Sequence, residues 1–248
     1  MRIPRIFHPT ETPDRSLAAG VVIELCDDAA NHVGRVLRMQ VGQPLQLFTG
    51  DGNDYAASIV QADKRHVLVQ IDAVAANPNE APVAIHLGQG ISRGERMDFV
   101  LQKSVELGVS DITPLFTERC GVKLSADRLD KKQQQWQKIV IAACEQSGRS
   151  RVPVVHQPQT LAHWLSNLPE ALRLTLDPHA QTPLKQRVVA ADRIQLLIGP
   201  EGGLSAAEVS QASDHNFAAV RLGPRVLRTE TAALAALTVI QYQFGDLA

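Results

Sequence analysis

The segment Leu196-Leu197-Ile198-Gly199-Pro200-Glu201-Gly202-Gly203-Leu204-Ser205 runs from branched apolar residues into a glycine-rich turn and a serine, with Glu208 three residues further on. The apolar run predicts a strand buried on both faces, and Ser205 with Glu208 predicts a capping box that opens a helix. Loops at the carboxyl ends of such strands are where open α/β sheets bind ligands, and glycine lets a ligand approach the backbone. A plain tight turn fits the same residues. Glu201 favours a ligand loop, and one better suited to an amine or a ribose hydroxyl than to a phosphate. The spacing matches neither a P-loop nor a dinucleotide fingerprint.

Leu222-Gly223-Pro224-Arg225-Val226-Leu227-Arg228-Thr229-Glu230-Thr231-Ala232 repeats the design one unit later. The helix that follows, residues 232–240, is apolar nearly all round, which predicts burial in a core or a subunit interface. Arg228 and Glu230 are also consistent with a surface ion pair worth under about 1 kcal/mol.

Working outward, strands predicted at residues 83–87, 112–116, 152–156, 172–176, 194–198 and 218–222 alternate with helices at 97–107, 128–144, 161–168, 205–212 and 229–244. That alternation implies an α/β domain with a mostly parallel sheet covered on both faces. Upstream, period-two strands at 21–25, 45–48, 55–60 and 67–71 surround a short helix that starts at Asp27 or Asp28, which reads as a small β-barrel-like module. Asn77-Pro78-Asn79-Glu80-Ala81-Pro82 can continue neither a strand nor a helix. The expected organisation is therefore a module at 1–72, a linker at 73–82 and a larger domain at 83–248.

The 248 residues include 25 Lys and Arg against 26 Asp and Glu, with 44% hydrophobic residues, which excludes disordered, collagenous and disulfide-rich classes. A net charge of -1 argues against bulk attraction to nucleic acid, but placed patches remain. One is the run containing Arg119, Lys123, Arg128, Lys131, Lys132, Lys138, Arg149 and Arg151, opposed only by Asp127, Asp130 and Glu145. Another lies in the first module, where Arg2, Arg5 and His8 flank Phe7, and His32, Arg35 and Arg38 fall at three-residue steps on one helical face. A solvated helix face is the usual explanation of the first run, and the alternative for the second is that arginine stems cover apolar surface. Cys26, Cys120 and Cys144 are too few and too dispersed for a disulfide framework or a zinc site. No metal is implied. No apolar run approaches the roughly 20 residues of a membrane span, and the start of the chain lacks a signal-like core, so the expected location is cytoplasmic.

Three ordered segments, Lys103-Ser104-Val105-Glu106-Leu107-Gly108-Val109 and the two Gly-Pro loops, together resemble the RsmE family of SPOUT methyltransferases. His32-Val33-Gly34-Arg35-Val36-Leu37-Arg38, Leu47-Phe48-Thr49-Gly50 and Glu145-Gln146-Ser147-Gly148-Arg149 extend the resemblance over the whole chain. It implies transfer of a methyl group from S-adenosyl-L-methionine to N3 of uridine 1498 in 16S ribosomal RNA, within the small ribosomal subunit. A PUA-like first domain, a trefoil-knotted α/β domain and a homodimer formed through the 232–240 helix are implied with it. The cofactor pocket carried over comprises Leu176 and the residues after it, Gly199, Pro200, Glu201, Gly202, Gly203, Leu222, Gly223, Val226, Leu227, Thr229 and Ala232. Uracil N3 bears a proton at neutral pH, so a base or an anion-stabilising cation is needed. Loop position and charge type suggest Arg228 for the anion, Glu230 as orienting partner or proton acceptor, and Glu201 as the cofactor-side carboxylate. Expected RNA contacts are Arg2, Arg5, Phe7, His32, Arg35, Arg38, Lys123, Arg149 and Arg151. A non-catalytic RNA-binding factor and an unrelated nucleotide-binding enzyme are the opposing readings, and cofactor binding separates them.

Overall fold

A computed structural model describes residues 3–9, 17–63, 66–122, 126–187 and 191–248. Two compact units form, one from residues 1–80 and 144–152, the other from 81–143 and 153–248.

The first unit is a five-stranded mixed sheet of β1 (Arg5–Phe7), β2 (Val22–Glu24), β3 (Pro44–Phe48), β4 (Asn53–Ala62) and β5 (Val67–Ala76), in the order β1-β3-β4-β5-β2. Alternating residues such as Leu45, Leu47, Tyr55, Ile59, Val67, Val69 and Ile71 are buried on one face, as the period-two pattern requires. The ladder is not closed into a barrel among the described residues. The sheet does curl, since His8 Nδ1, just past one edge strand, accepts a 3.2 Å hydrogen bond from Cys26 N, just past the other. Strand β5 runs on to Ala76, paired with Asn53, so the first four residues of the expected linker are ladder. The Asn-Pro cluster ends that ladder only afterwards.

Residues 144–152 belong to this unit through a polar network. The Arg5 guanidinium bridges both Asp54 carboxylate oxygens at 3.0 and 3.2 Å and donates to Ser150 Oγ at 2.8 Å. Asn77 Nδ2 donates to Asp54 Oδ1, Gly148 O and Ser150 Oγ, while Glu80 accepts from Arg149 and from the amides of Ser150 and Arg151. Desolvation would raise the Asp54 pKa. Hydrogen bonds from Arg5, Ser150 and Asn77, with the Arg5 charge, overcome it and hold the carboxyl below its ordinary value. The helical insert is α1 (Asp27–Asn31) continued by a π-helical turn, His32–Val36. Arg38 lies beyond it at φ 53°. The expected single face of His32, Arg35 and Arg38 is therefore corrected: a π turn does not keep a three-residue step in line, and Arg38 is outside the helix.

The second unit contains β6 (Ala84–Gly90), α2 (Glu95–Glu106), β7 (Asp111–Phe116), α3 (Ala126–Ser147), β8 (Val154–Val155), β9 (Gln159–Thr160), α4 (Leu161–Ser166), β10 (Leu172–Leu176), β11 (Arg193–Ile198), α5 (Ala206–Asp214), β12 (Ala218–Val220) and α6 (Thr229–Phe244), with α3 crossing into the first unit at residue 144. Its sheet has the order β12-β10-β11-β6-β7-β8, every neighbour parallel, so all carboxyl ends share one edge. Two glycines of β6 permit close packing. A Cβ at Gly88 would come 2.5 Å from the Trp164 ring, and one at Gly90 would come 2.5 Å from Pro200 N.

At the opposite edge, His86 packs against the rings of His156 (5.3 Å) and Trp164 (5.6 Å), while His156 Nε2 and Asp111 Oδ1 are 3.0 Å apart. Desolvation pushes the His86 pKa down from 6.5 to about 4, against the pull of Asp111. Between those values the unfolded chain binds more protons than the folded one, so folding stability falls as pH drops through the window. The loss attributable to His86 reaches no more than about 3 kcal/mol. Thermal melting from pH 7 to 4 should show it, and His86→Gln should flatten the curve between pH 6.5 and 4.

Candidate active site

Three loops at the carboxyl ends of β10, β11 and β12 enclose a cavity of about 310 Å³ within the second unit. The loop after β11, residues 199–204, forms one wall. Ile198 precedes it, Leu204 is its last residue, and the Ser205–Glu208 capping box predicted from sequence follows. Glu208 is buried and works in two places: Oε2 accepts from Ser205 N at 2.8 Å and Oε1 accepts from Glu118 N at 2.8 Å. The loop after β12 forms the facing wall with Leu222, Arg225, Val226 and Leu227, continued by Thr229 and Ala232 of α6.

Every residue expected at the cofactor pocket lines this cavity except Gly223. Gly223 has φ 72°, a left-handed conformation that makes the turn after Leu222, so its role is to steer the loop. Asp177, Pro178 and His179, the residues after Leu176 that the family resemblance implies for the pocket, follow β10 and close the third side. β10 is another parallel strand ending at the same edge, although no glycine marks the loop that follows it. Arg119 was noted only as part of a basic run. It reaches the cavity from the loop after β7, and its NH1 donates to Gly202 O at 3.0 Å and Leu204 O at 3.4 Å.

The loops are fastened to one another. Thr229 Oγ1, buried at the start of α6, donates to Gly199 O at 2.6 Å and accepts from Gln89 Nε2 at 2.9 Å. Glu201 Oε1 accepts from Arg93 N at 2.9 Å and Arg96 NH1 at 3.2 Å. Desolvation opposes ionisation of Glu201. Hydrogen bonds from the Arg93 amide, its own amide and Arg96, with the Arg96 charge, prevail and hold its carboxyl below the usual 4.5. Glu201 lines the cavity, where a cofactor-side carboxylate was expected, and its Oε1 also fastens the loop. Arg228 and Glu230 do not line it. Arg228 is the exposed N-cap residue of α6, its side chain capping nothing, between two residues that do line the cavity. Glu230, in the first turn of α6, has a buried Oε2 with no hydrogen-bond partner.

The expected RNA contacts divide. Arg5 and Arg149 are corrected to structural roles, because their side chains are 12% and 7% exposed and paired with Asp54 and Glu80. Phe7 is half-buried against Phe48, with ring centroids 5.4 Å apart. His32 lies 3.8 Å from Glu145 Oε2. Arg35 and Arg38 are exposed beside Val36, Leu37 and Val41, which are exposed too. Arg151 is exposed with its guanidinium over Gly52. Arg2 and Lys123 lie outside the described residues. Among the described residues no cluster of three His, Cys, Asp or Glu is placed to hold a metal ion, and no helix is long and apolar enough to cross a membrane.

Comparison with known proteins bears on this site directly. Residues 79–241 match the RNA methyltransferase domain family, and residues 25–72 match the RNA methyltransferase PUA domain. A ribosomal RNA small subunit methyltransferase E of Buchnera aphidicola (strain Sg) is 36% identical over 99% of this chain and 98% of its own; one from Bacillus subtilis is 27% identical over 94% of both. A methyltransferase structure from Legionella pneumophila, in complex with the bound cofactor SAM, is 46% identical with a TM-score of 0.94 over 100% of both chains. The ribosomal RNA small subunit methyltransferase E of Neisseria gonorrhoeae bound to S-adenosyl methionine is 38% identical with a TM-score of 0.92, again over 100% of both. A parallel α/β domain built around a glycine-walled cavity and preceded by a PUA domain thus has full-length relatives of one kind, and the chain belongs to the ribosomal RNA small subunit methyltransferase E family, that is, the RsmE family of RNA methyltransferases.

Proposed function

We propose that this enzyme methylates N3 of uridine 1498 of 16S ribosomal RNA, using S-adenosyl-L-methionine held in the cavity between the Gly-Pro loops. The observation that carries this reading is the convergence of both loops, predicted separately from sequence, on one cavity. The residues fit the cofactor. At about 310 Å³ the cavity is near the small end of ligand pockets, and Leu176, Ile198, Leu222 and Leu227 offer apolar walls to a nucleoside. Nothing lies within 4 Å of a Cβ built on Gly203, so bare backbone faces open space there. When bound, the cofactor supplies an activated methyl group on a sulfonium.

The chain's own residues provide alignment and charge. Thr229, Glu201 and Arg119 hold the loops in place and so fix where a bound cofactor would present its methyl group; transfer would need donor and acceptor within about 3–3.5 Å. Arg228, exposed beside the cavity, stabilises the uracil anion that forms as N3 loses its proton. Glu230 Oε2, lacking a partner, orients Arg228 or accepts that proton. The target base must be unpaired or extruded to present its Watson–Crick edge. The exposed Arg35, Arg38 and Arg151 of the first unit contact the same RNA. The knotted path, the homodimer through α6 and the cytoplasmic location belong to this proposal; α6 supports pairing by leaving the large aromatic side chain of Tyr242 65% exposed near its C-terminal end.

Calorimetry with S-adenosylmethionine tests the cavity assignment. The wild-type protein should bind it, and Gly199→Val, whose Cβ would come 2.8 Å from Leu204 N, should lose binding at least tenfold, about 1.4 kcal/mol. Unaltered binding in that variant, or preference for ATP or NAD in the wild type, would contradict it.

A further inference from the structure

We infer that Arg93 is an RNA-phosphate contact at the rim of the active site, a role that rests on the methyltransferase reading. Three arginines meet around one short loop: the Arg93 amide and the Arg96 guanidinium at Glu201, and the Arg119 guanidinium at Gly202 O. Arg96 and Arg119 are thereby engaged in fastening. Arg93 differs, because its backbone does the fastening and its side chain is left over. The residue is exposed, and among the described residues its guanidinium forms no ion pair. It is nonetheless positioned, lying against the backbone at Gly121, where a Cβ would come 2.7 Å from Arg93 Cζ. A guanidinium held in place without a carboxylate, on a loop joined to the cavity wall, is suited to an incoming oxyanion.

The anion could be a carboxylate on the cofactor or a phosphodiester of the RNA. Arg93 is absent from the cavity lining, which places it outside the space assigned to the cofactor. A base inserted there to reach the methyl donor carries its flanking phosphates one sugar away, at the rim. The geometry therefore favours the phosphodiester. Glu95 and Asp98 are the acidic residues that follow on α2; Asp98 lies 3.8 Å from Lys132.

The test uses the full-length protein and small ribosomal subunits lacking the modification, between about 50 and 200 mM salt. Arg93→Ala should lower the slope of log affinity against log salt by about 0.7, and so raise KM for the subunit about fivefold at 0.1 M salt. Its S-adenosylmethionine affinity should stay at the wild-type value, since the Arg93 amide remains. Arg93→Lys should recover part of the slope, and Gly121→Ala, which displaces the guanidinium without removing its charge, should weaken subunit binding in the same direction. An unchanged KM and slope in Arg93→Ala would overturn the inference while leaving the enzyme reading intact. So would a loss confined to cofactor affinity, which would assign the anion to the cofactor. Failure of the wild-type protein to methylate the subunit would instead reject the reading beneath it.

Discussion

Arg228→Ala should lower kcat on 16S RNA by about 10²–10³-fold while S-adenosylmethionine binding and melting temperature stay close to wild type. The separation follows from what the side chain does in the fold. Arg228 is the N-cap residue of α6, yet its side chain makes no capping bond and is exposed. Loss of a capping side chain ordinarily costs about 1 kcal/mol, and here there is none to lose. Thr229, its neighbour, is the contrasting case, because its hydroxyl ties Gly199 to α6 and any substitution there disturbs the cavity itself. A charge acting only on the developing uracil anion changes kcat more than KM for the cofactor. Arg228→Lys should recover part of the rate. Full activity in Arg228→Ala would remove Arg228 from the chemistry.

Gly90→Ala is expected to give the largest structural effect. The new methyl group would lie 2.5 Å from Pro200 N, 2.6 Å from Pro200 Cδ and 2.8 Å from the Gly199 carbonyl carbon. These are backbone atoms and a proline ring, so no flexible side chain can move aside. Overpacking of this kind costs about 1–3 kcal/mol, or roughly 3–9 °C in melting temperature for a unit of this size. Relief comes by lifting the 199–204 loop away from β6, which opens the cavity wall. S-adenosylmethionine affinity should therefore fall together with stability, and measuring both in one variant distinguishes a displaced loop from general unfolding. Wild-type values for both would mean that the loop does not depend on β6 for its position.

Much of this was legible because the features are local. The capping box at Ser205 and Glu208, the boundaries of β10 and α6, and the alternation that yields a parallel sheet all follow from spacing and turn chemistry within a few residues. The cavity wall was found from two glycine loops for the same reason. What escaped was decided by contacts remote in sequence. Nothing near Glu201 announces that it meets residues 105 and 108 positions away, and Arg119 looks like one of many cations until β7 places it beside Gly202. Arg5 and Arg149 were misjudged in the same way. An arginine expected to meet RNA becomes a largely buried partner once residues 144–152 join the first unit. The π turn after α1 is a further case, since a sequence pattern assumes the α-helical step.

The methylation itself is tested most directly by mass mapping of 16S RNA in small ribosomal subunits from a strain lacking this gene, before and after incubation with the purified protein and S-adenosylmethionine. N3-methyluridine at position 1498 should be absent beforehand and restored afterwards, and Arg228→Ala should fail to restore it. A subunit that already carries the modification without the gene, or that gains none from a protein shown to bind the cofactor, would contradict this assignment.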